Sequence, residues 1–464
     1  MTVLGTALAA ATVAVAAALP GPPPPAPPDA AGIVRTQLAV ATDDGLVLPA
    51  TLHLPSGARP RLPGMVLVHG SGPAPRERLH AEAEAFARAG IATLTYDKRT
   101  VGYSLTERSY PRLADDAIAA AAVLRGRGEV DPDEVGLWGL SEGGWVAPLA
   151  ASRDPRTAFL VVVGANGVPP LRQQAWADAS AFEHAGVRGS LIDAASRTLY
   201  RLLAGAGVFP EPYHDPGLPL RTLTLPVLAI WGAVDRATPP VESAAAYQRF
   251  LDEAGNPHYT LHTVNGAQHA LRTSATGYDR GPGFAPGYVE LVGSWVADVA
   301  AGRAPATSVT GRGEQPRPTA EVPPLAWYES VPVQAGALAV MLAGFGWLGL
   351  SALGRRLRGR PARPASGPAR VLAGAGLVAV PGTVLYLLWM LMARRAAPEP
   401  GLVIAGRPLP WIALQLLALV AACAAVALAV RMVRRGGDGP RGALLATAGA
   451  VFVPWAVYWG LLLP

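Results

Sequence analysis

Over the first 300 residues, short apolar runs alternate with segments in which apolar positions recur every three or four residues. Residues 34–42 and 46–54 alternate apolar and polar positions around Asp43-Asp44-Gly45, which predicts a β-hairpin. Uniformly apolar runs predict buried strands, and the three-to-four spacing predicts helices. The predicted strands are 63–68, 91–96, 134–138, 158–163, 225–232 and 259–264, and the first helices are 77–89 and 113–125. This order predicts an α/β domain with a doubly wound, mostly parallel sheet, whose functional groups follow the carboxyl ends of its strands.

The last third of the chain carries a different pattern. Each of four apolar segments is near the ~20 residues needed to cross a bilayer: 331–353, 371–392, 411–430 and 443–463. They contain no Asp, Glu, Lys or His, and this favours a structural role over ion or proton transport. We therefore predict an all-α transmembrane module of four helices over residues 331–464, which makes the membrane bilayer a partner.

The connections between these segments differ in charge. The first (354–370) carries six arginines and the third (431–441) four, whereas the second has three arginines and one glutamate. The positive-inside rule then predicts cytoplasmic first and third connections, with residue 330 and the preceding domain outside. Residues 1–20 are predicted to be a signal peptide or an N-terminal anchor, followed by a Pro-rich linker over 21–32. Either form of that segment also places the next domain outside the cytoplasm.

The charge of the chain is partitioned in the same way. Residues 33–320 hold 26 basic and 28 acidic residues, whereas residues 321–464 have a net charge of +9. The basic character therefore belongs to the membrane module, and we expect no nucleic-acid partner. Cys423 is the only cysteine, so no intrachain disulfide is expected. No cofactor or metal site is predicted, and the composition leaves the oligomeric state open.

The run Gly139-Leu140-Ser141-Glu142-Gly143 fits the G-x-S-x-G pattern of a nucleophile elbow. A predicted buried strand precedes it and a predicted helix follows it, as that motif requires. In such an elbow the serine lies on a sharp strand-to-helix turn, and small neighbours leave room for the backbone. Ser141 is therefore the predicted nucleophile.

A serine nucleophile needs a base and a group that orients the base. Asp235 follows the strand predicted at 225–232, and His269 follows the strand predicted at 259–264. The order Ser141, Asp235, His269 is that of a catalytic triad on this type of sheet. Asp215 and Asp252 are the alternative acids. Seven other histidines compete with His269, of which His69 is expected to be structural.

An acyl-transfer intermediate also needs donors for its oxyanion. The residue after the nucleophile supplies one, and this is the backbone N–H of Glu142. The second donor is expected from the loop His69-Gly70-Ser71-Gly72, which follows the strand predicted at 63–68. Either Ser71 or Gly70 is the predicted donor.

Residues 33–300 resemble the α/β-hydrolases, and more narrowly the dienelactone hydrolase, prolyl-oligopeptidase-like and serine-aminopeptidase-like group. The residues that carry this resemblance are His69-Gly70-Ser71-Gly72-Pro73, Tyr96-Asp97-Lys98-Arg99 with Gly102 and Ser104, Trp138 to Gly144, Gly232 to Asp235, and Gln268-His269. The resemblance implies an eight-stranded sheet and hydrolysis through an acyl-enzyme. Thr100 and Leu140 depart from it, since relatives usually have glycine and histidine there. Asp97 and Arg99 are expected to brace the neighbouring loop.

Residues 168–220 exceed the minimal core of such a fold and are predicted to form a helical cap insertion. Its aromatic residues Trp176, Phe182, Tyr200 and Phe209 either line an apolar acyl pocket or form the core of the cap. The hydrolase domain is thus predicted to span 33–301, and a flexible linker to span 302–330.

These features predict a membrane-tethered, extracytoplasmic serine hydrolase that cleaves carboxylic esters of small acyl substrates. A serine peptidase or amidase acting on short peptides is the alternative within the same class. A non-catalytic hydrolase-like sensor coupled to the membrane module, and a transporter with an accessory domain, are the alternatives from other classes.

Overall fold

The structure, a computed structural model, describes residues 32–57, 61–361, 365–393, 401–435 and 439–464. The predicted signal segment and nearly all of the predicted Pro-rich linker lie outside these residues. The described chain divides into two compact units. The first contains the residues up to Gln173 together with Ala206–Thr319, and the second contains Gln174–Gly205 together with Ala320–Pro464.

A single twisted sheet organises the first unit. Its order is β1-β2-β4-β3-β5-β6-β7-β8-β9, and every neighbouring pair is parallel except β1–β2 and β2–β4. The strands are β1 Ile33–Ala41, β2 Val47–Pro55, β3 Leu62–Val68, β4 Ala92–Tyr96, β5 Val130–Leu140, β6 Leu160–Val163, β7 Val227–Gly232, β8 Tyr259–Val264 and β9 Ser308–Thr310. The predicted hairpin is β1–β2, and Gly45 in its turn adopts a φ of 84°. The doubly wound, mostly parallel sheet of the α/β-hydrolase fold is thus confirmed.

Helices cover both faces of this sheet. In chain order the α-helices of the described residues are α1 His80–Arg88, α2 Tyr110–Arg125, α3 Gly143–Arg153, α4 Pro170–His184, α5 Ser190–Asp193, α6 Leu199–Gly205, α7 Gly217–Leu220, α8 Pro240–Glu253, α9 Tyr288–Ala300, α10 Val331–Leu357, α11 Gly367–Ala393, α12 Leu409–Arg435 and α13 Gly439–Tyr458. Alternate residues of β3 enter opposite cores, because side chains alternate across a strand. Val66 and Val68 join α2, α3 and α8, whereas Met65 and Leu67 join α1 and α9.

Among the described residues the sheet has nine strands, so the implied count of eight is wrong. The additional strand, β9, comes from the segment predicted as a flexible linker, and it pairs in parallel with β8 from Thr260↔Ser308 to His262↔Thr310. Three residues are too few to show an alternating pattern in the sequence, and backbone pairing to an existing edge holds the strand. The Glu242 carboxylate anchors the chain further on, by accepting from the backbone N–H of Thr319 at 2.7 Å and from Gln315 Nε2 at 2.7 Å.

The second unit contains the four C-terminal helices. Three of them, α10, α11 and α12, are long and apolar enough to cross a membrane, whereas the apolar part of α13 is the shorter stretch Gly442–Tyr458. A glycine cap ends α13 before residue 463, the predicted end. Gly460 adopts a φ of 77°, and the Leu461 N–H donates to the Ala456 carbonyl across the turn. Three helices therefore fit the predicted membrane module by length and composition, and the fourth span stays a prediction.

Most of the predicted cap insertion belongs to this second unit. The Ser190 backbone N–H donates to the Pro464 carbonyl at 3.0 Å, and the Ser190 hydroxyl donates to the Gly460 carbonyl at 2.7 Å. Nearby, the Arg201 guanidinium holds the Glu329 carboxylate in a bidentate pair at 2.6 and 2.7 Å. Residues 174–205 are therefore built onto the end of the helix bundle where α10 begins and α13 ends. The predicted role as a cover for Ser141 stays a prediction.

The aromatic residues named for the insertion differ in burial, and both of their predicted roles stay predictions. Trp176, Phe182 and Tyr200 are buried, and Phe209 is half-buried.

Candidate active site

Ser141 lies on a strained turn between β5 and α3. Its φ is 58°, a left-handed conformation that costs a non-glycine residue roughly 1–3 kcal/mol. The Ser141 N–H donates to the Val163 carbonyl at 3.0 Å, and its own carbonyl accepts from the Gly144 N–H at 2.8 Å. A side chain at Gly139 would place its Cβ 2.2 Å from the Gly143 carbonyl oxygen, so the turn closes only with glycine there. The G-x-S-x-G spacing therefore has a direct steric reason.

Asp235, three residues after β7, is completely buried. Its Oδ1 accepts the backbone N–H groups of Ala237 at 2.8 Å and Thr238 at 2.9 Å. Its Oδ2 accepts the Thr238 hydroxyl at 2.6 Å and faces His269 Nδ1 at 2.9 Å. Three donors besides the imidazole thus fix the position of a buried carboxylate and satisfy its lone pairs.

His269 follows β8, and its side chain is 20 % exposed. Burial disfavours the imidazolium, but the Asp235 carboxylate outweighs that effect and raises the pKa of His269 above its ordinary value. Because Asp235 Oδ2 is an acceptor, His269 carries its proton on Nδ1, and this leaves Nε2 as the basic nitrogen. The imidazole is therefore oriented as a general base.

The end of β6 lies between the serine and the histidine. Val163 accepts from the Ser141 N–H, and the next residue, Gly164, has a φ of 53° and faces His269. A Cβ at Gly164 would lie 2.7 Å from His269 Nδ1, so glycine is needed for the imidazole to occupy this place. Within the described residues His269 hydrogen-bonds to Asp235 and not to Ser141. Such contacts between base and nucleophile often tighten only when a substrate binds.

The alternative acids and His69 have other hydrogen-bond partners. Asp252 accepts the Tyr259 hydroxyl at 2.6 Å, and Asp215 accepts the Gly217 N–H at 2.8 Å. His69 is buried and donates from Nε2 to the Tyr96 carbonyl at 2.7 Å. Burial lowers the pKa of His69 to about 4, so its ring is neutral and ties the ends of β3 and β4 together. Ser141, Asp235 and His269 therefore stay the predicted triad.

The predicted oxyanion donors lie beside the elbow. A Cβ built on Gly70 would be 3.3 Å from Ser141 Cβ and 3.9 Å from Ser141 Oγ, so this loop passes the nucleophile at van der Waals distance. Glu142 immediately precedes α3, whose first N–H groups carry partial positive charge. Within the described residues, the backbone N–H groups of Ser71 and Glu142 donate to no protein acceptor. Both are free to bind a developing oxyanion.

A buried polar cluster that the sequence reasoning missed surrounds the Glu142 side chain. Glu142 Oε1 accepts from Lys98 Nζ and, at 2.8 Å, from the Tyr103 hydroxyl, and Glu142 Oε2 accepts from Arg108. Lys98 Nζ also donates to the Gly70 carbonyl at 2.7 Å. The available signal was Lys98 itself, the only lysine in a chain with 38 arginines. Its partners lie far away in the sequence, so no local sequence pattern predicts the cluster.

Asp97 and Arg99 occupy separate contacts. The Asp97 carboxylate accepts the Arg76 backbone N–H at 2.8 Å, which holds the chain just beyond the loop at Gly70. Arg99 is buried and pairs with Asp116 at 2.6 and 2.7 Å, and with Asp44 at 2.8 Å. These contacts brace the loops at the sheet edge without touching Ser141.

The chain matches a protein-family model and several curated proteins. Residues 106–281 match the model of the prolyl oligopeptidase family. A thiohydrolase, apmlB, from Arthrinium phaeospermum is 34% identical over 132 residues, which are 28% of this chain and 42% of the relative. The chain spans less than half the length of the curated relatives that it matches.

The chain is similar to many solved structures, among them two esterases. One is a hyperthermophilic esterase from Pyrobaculum calidifontis, with 18% identity, a TM-score of 0.41, and coverage of 58% of this chain and 86% of the esterase. The other is carboxyl esterase 2 from Tuber melanosporum, with 16% identity, a TM-score of 0.42, and coverage of 64% and 97%.

Proposed function

We propose that this chain, which belongs to the α/β-hydrolase superfamily, is a membrane-tethered serine hydrolase that cleaves carboxylic esters outside the cytoplasm. The observation that carries the proposal is the pairing of His269 Nδ1 with buried Asp235 at 2.9 Å, on the sheet edge where Ser141 occupies a strained turn. A surface histidine would not need a buried carboxylate with three further donors. An elbow serine without a catalytic role would not need a left-handed φ.

In the proposed reaction, Ser141 Oγ attacks the carbonyl carbon of the ester while His269 Nε2 takes the hydroxyl proton. The carbonyl oxygen becomes an oxyanion, which the N–H groups of Glu142 and Ser71 or Gly70 stabilise. The C–O bond to the alcohol then breaks, and His269 returns the proton to the leaving alkoxide. Water attacks the acyl-Ser141 ester with His269 again as base, and the acid and free Ser141 are released.

The predicted orientation has support from the second unit. The insertion residues contact the bundle end that carries Glu329, the start of α10 and the end of α13. The arginine-rich connections lie at the other ends of these helices, the ends that the positive-inside rule assigns to the cytoplasm. Both lines favour an extracytoplasmic insertion and hydrolase domain.

A fluorophosphonate probe tests the proposal, because it reacts with activated serines. Membranes carrying the full chain should be labelled, Ser141→Ala should abolish labelling, and Ser152→Ala, an exposed helical serine, should not change it. Absence of Ser141-dependent labelling on folded protein would overturn the enzyme proposal and favour a non-catalytic sensor. Labelling of intact cells by an impermeant version is expected, and its restriction to broken cells would reverse the topology.

Peptide or amide hydrolysis is the second candidate, since residues 106–281 match the prolyl oligopeptidase family. Purified full-length protein should be assayed on p-nitrophenyl acyl esters, an acyl thioester and dipeptidyl p-nitroanilides. The ester proposal expects the highest kcat/KM on the esters. A higher kcat/KM on the anilides, lost in Ser141→Ala, would make the protein a peptidase.

A further inference from the structure

The Lys98 ammonium joins the elbow to the loop at Gly70. Its three N–H bonds reach three acceptors: the Gly70 carbonyl at 2.7 Å, the Tyr103 hydroxyl at 2.9 Å and Glu142 Oε1. The side chain is 4 % exposed, and its carboxylate partner is completely buried. Every donor of the ammonium is therefore used inside the protein, where an unused donor would be costly.

The same cluster holds the loop at a second point. The Tyr103 hydroxyl accepts the Gly72 backbone N–H at 2.8 Å while it donates to Glu142. The network thus holds the backbone of residues 70 and 72, and it includes the side chain of Glu142, the residue after Ser141. Within the described residues, the backbone N–H groups of both Gly70 and Ser71 donate to no protein acceptor.

The geometry of the peptide bond gives this network a direction. In a planar trans peptide the C=O and the following N–H point in opposite directions. Because Lys98 holds the Gly70 carbonyl on its own side, the Ser71 N–H of the same peptide points away from Lys98. Of the two donors predicted for this loop, Ser71 is therefore the one whose N–H direction Lys98 fixes through the Gly70 carbonyl.

Charge adds to this effect. Lys98 and Arg108 face a single carboxylate, Glu142, so the cluster has an excess of one positive charge. Lys98 contacts the Gly70 carbonyl, which belongs to the peptide proposed to bind the oxyanion, and a fixed positive charge there stabilises the charged transition state more than the neutral ester.

We propose that Lys98 is a positioning residue that sets the Gly70–Ser71 peptide in the orientation needed for the oxyanion hole. This inference rests on the proposed serine-hydrolase function. An arginine cannot replace the lysine, because a planar guanidinium does not direct three donors to acceptors clustered around one point. This explains why the single lysine of an arginine-rich chain is found here.

The test uses full-length Lys98→Met and Lys98→Arg proteins, with Arg99→Lys as the matched control. Arg99 is the adjacent buried cation, but its partners are Asp116 and Asp44. Both Lys98 variants should lose about 10²- to 10³-fold in kcat with little change in KM, the size expected for an oxyanion donor. Their affinity for a trifluoromethyl ketone, which forms a tetrahedral oxyanion on the serine, should fall by the same factor. Arg99→Lys should lower the melting temperature without these losses.

A further variant tests the proposal in case the Lys98 variants do not fold. Tyr103→Phe removes one hydroxyl from the network and leaves Lys98 and Glu142 paired, so a loss of about tenfold is expected on both readouts. Wild-type kcat and ketone affinity in folded Lys98→Arg, or equal losses in Arg99→Lys, would overturn the positioning role. Failure of the wild-type protein to react with fluorophosphonate would instead overturn the proposed function.

Discussion

Gly164→Ala is expected to disable the base of the proposed triad by displacing His269. The new methyl carbon would lie 2.7 Å from His269 Nδ1 and 2.8 Å from the His269 carbonyl oxygen. Carbon contacts are favourable near 3.5 Å, so the imidazole must move by about 0.8 Å. Such a movement stretches the 2.9 Å hydrogen bond to Asp235 beyond its useful range. A misplacement of about 1 Å costs roughly 10²-fold in rate, so kcat/KM should fall by about 30- to 100-fold.

The substitution also places alanine at a φ of 53°, which costs about 1 kcal/mol in stability. Gly255→Ala separates the two effects, because Gly255 has a φ of 65° with nothing within 4 Å of its added Cβ. Ester hydrolysis and thermal unfolding of the detergent-solubilised full chain should be measured for both variants. Both should melt at a lower temperature, and only Gly164→Ala should lose activity. Wild-type kcat/KM in Gly164→Ala, or an equal loss in Gly255→Ala, would refute the reasoning.

Two further predictions concern charge. Asp235→Asn removes the carboxylate that raises the pKa of His269. The value of kcat/KM should therefore fall about 10³- to 10⁴-fold, and the acid limb of its pH profile should move to lower pH. An acid limb at the wild-type pH would exclude Asp235 as the group that raises the pKa of His269. Burial lowers the pKa of His53 to about 4, so the unfolded chain binds the extra proton between pH 6.5 and 4. Stability should therefore fall by up to about 3 kcal/mol as the pH drops through that window, and not above it. Urea unfolding of His53→Leu should show a pH dependence smaller by that amount, and an unchanged dependence would contradict the assignment.

Local patterns predicted most of the hydrolase fold. The hairpin, the buried strands and the first helices follow from alternation or from three-to-four spacing, which depend only on neighbouring residues. Tyr259–Val264 was predicted with the bounds that the structure has. The positions of Ser141, Asp235 and His269 after strand ends follow from the same elements, since parallel strands bring their carboxyl ends to one edge.

Local sequence patterns do not predict two other features of the fold, the edge strand and the packing of the insertion. The edge strand Ser308–Thr310 is held by backbone pairing, for which its side chains give no signal. Residues 174–205 look like any cap insertion, but they join the unit of the C-terminal helices through contacts such as Ser190 to Gly460. Those partners are 270 residues apart, so no window along the chain contains both.

The class of fold, the elbow serine and the order of the proposed triad can be predicted from the amino-acid sequence alone, because these depend on short-range spacing and on rules common to parallel sheets. The surroundings of these residues become visible only in the folded chain. The tertiary structure placed Gly164 against the imidazole and converged Lys98, Tyr103 and Arg108 on the Glu142 carboxylate. Those contacts depend on how distant loops meet in three dimensions. The partner of a buried charge can be identified only when the positions of both groups in the fold are known.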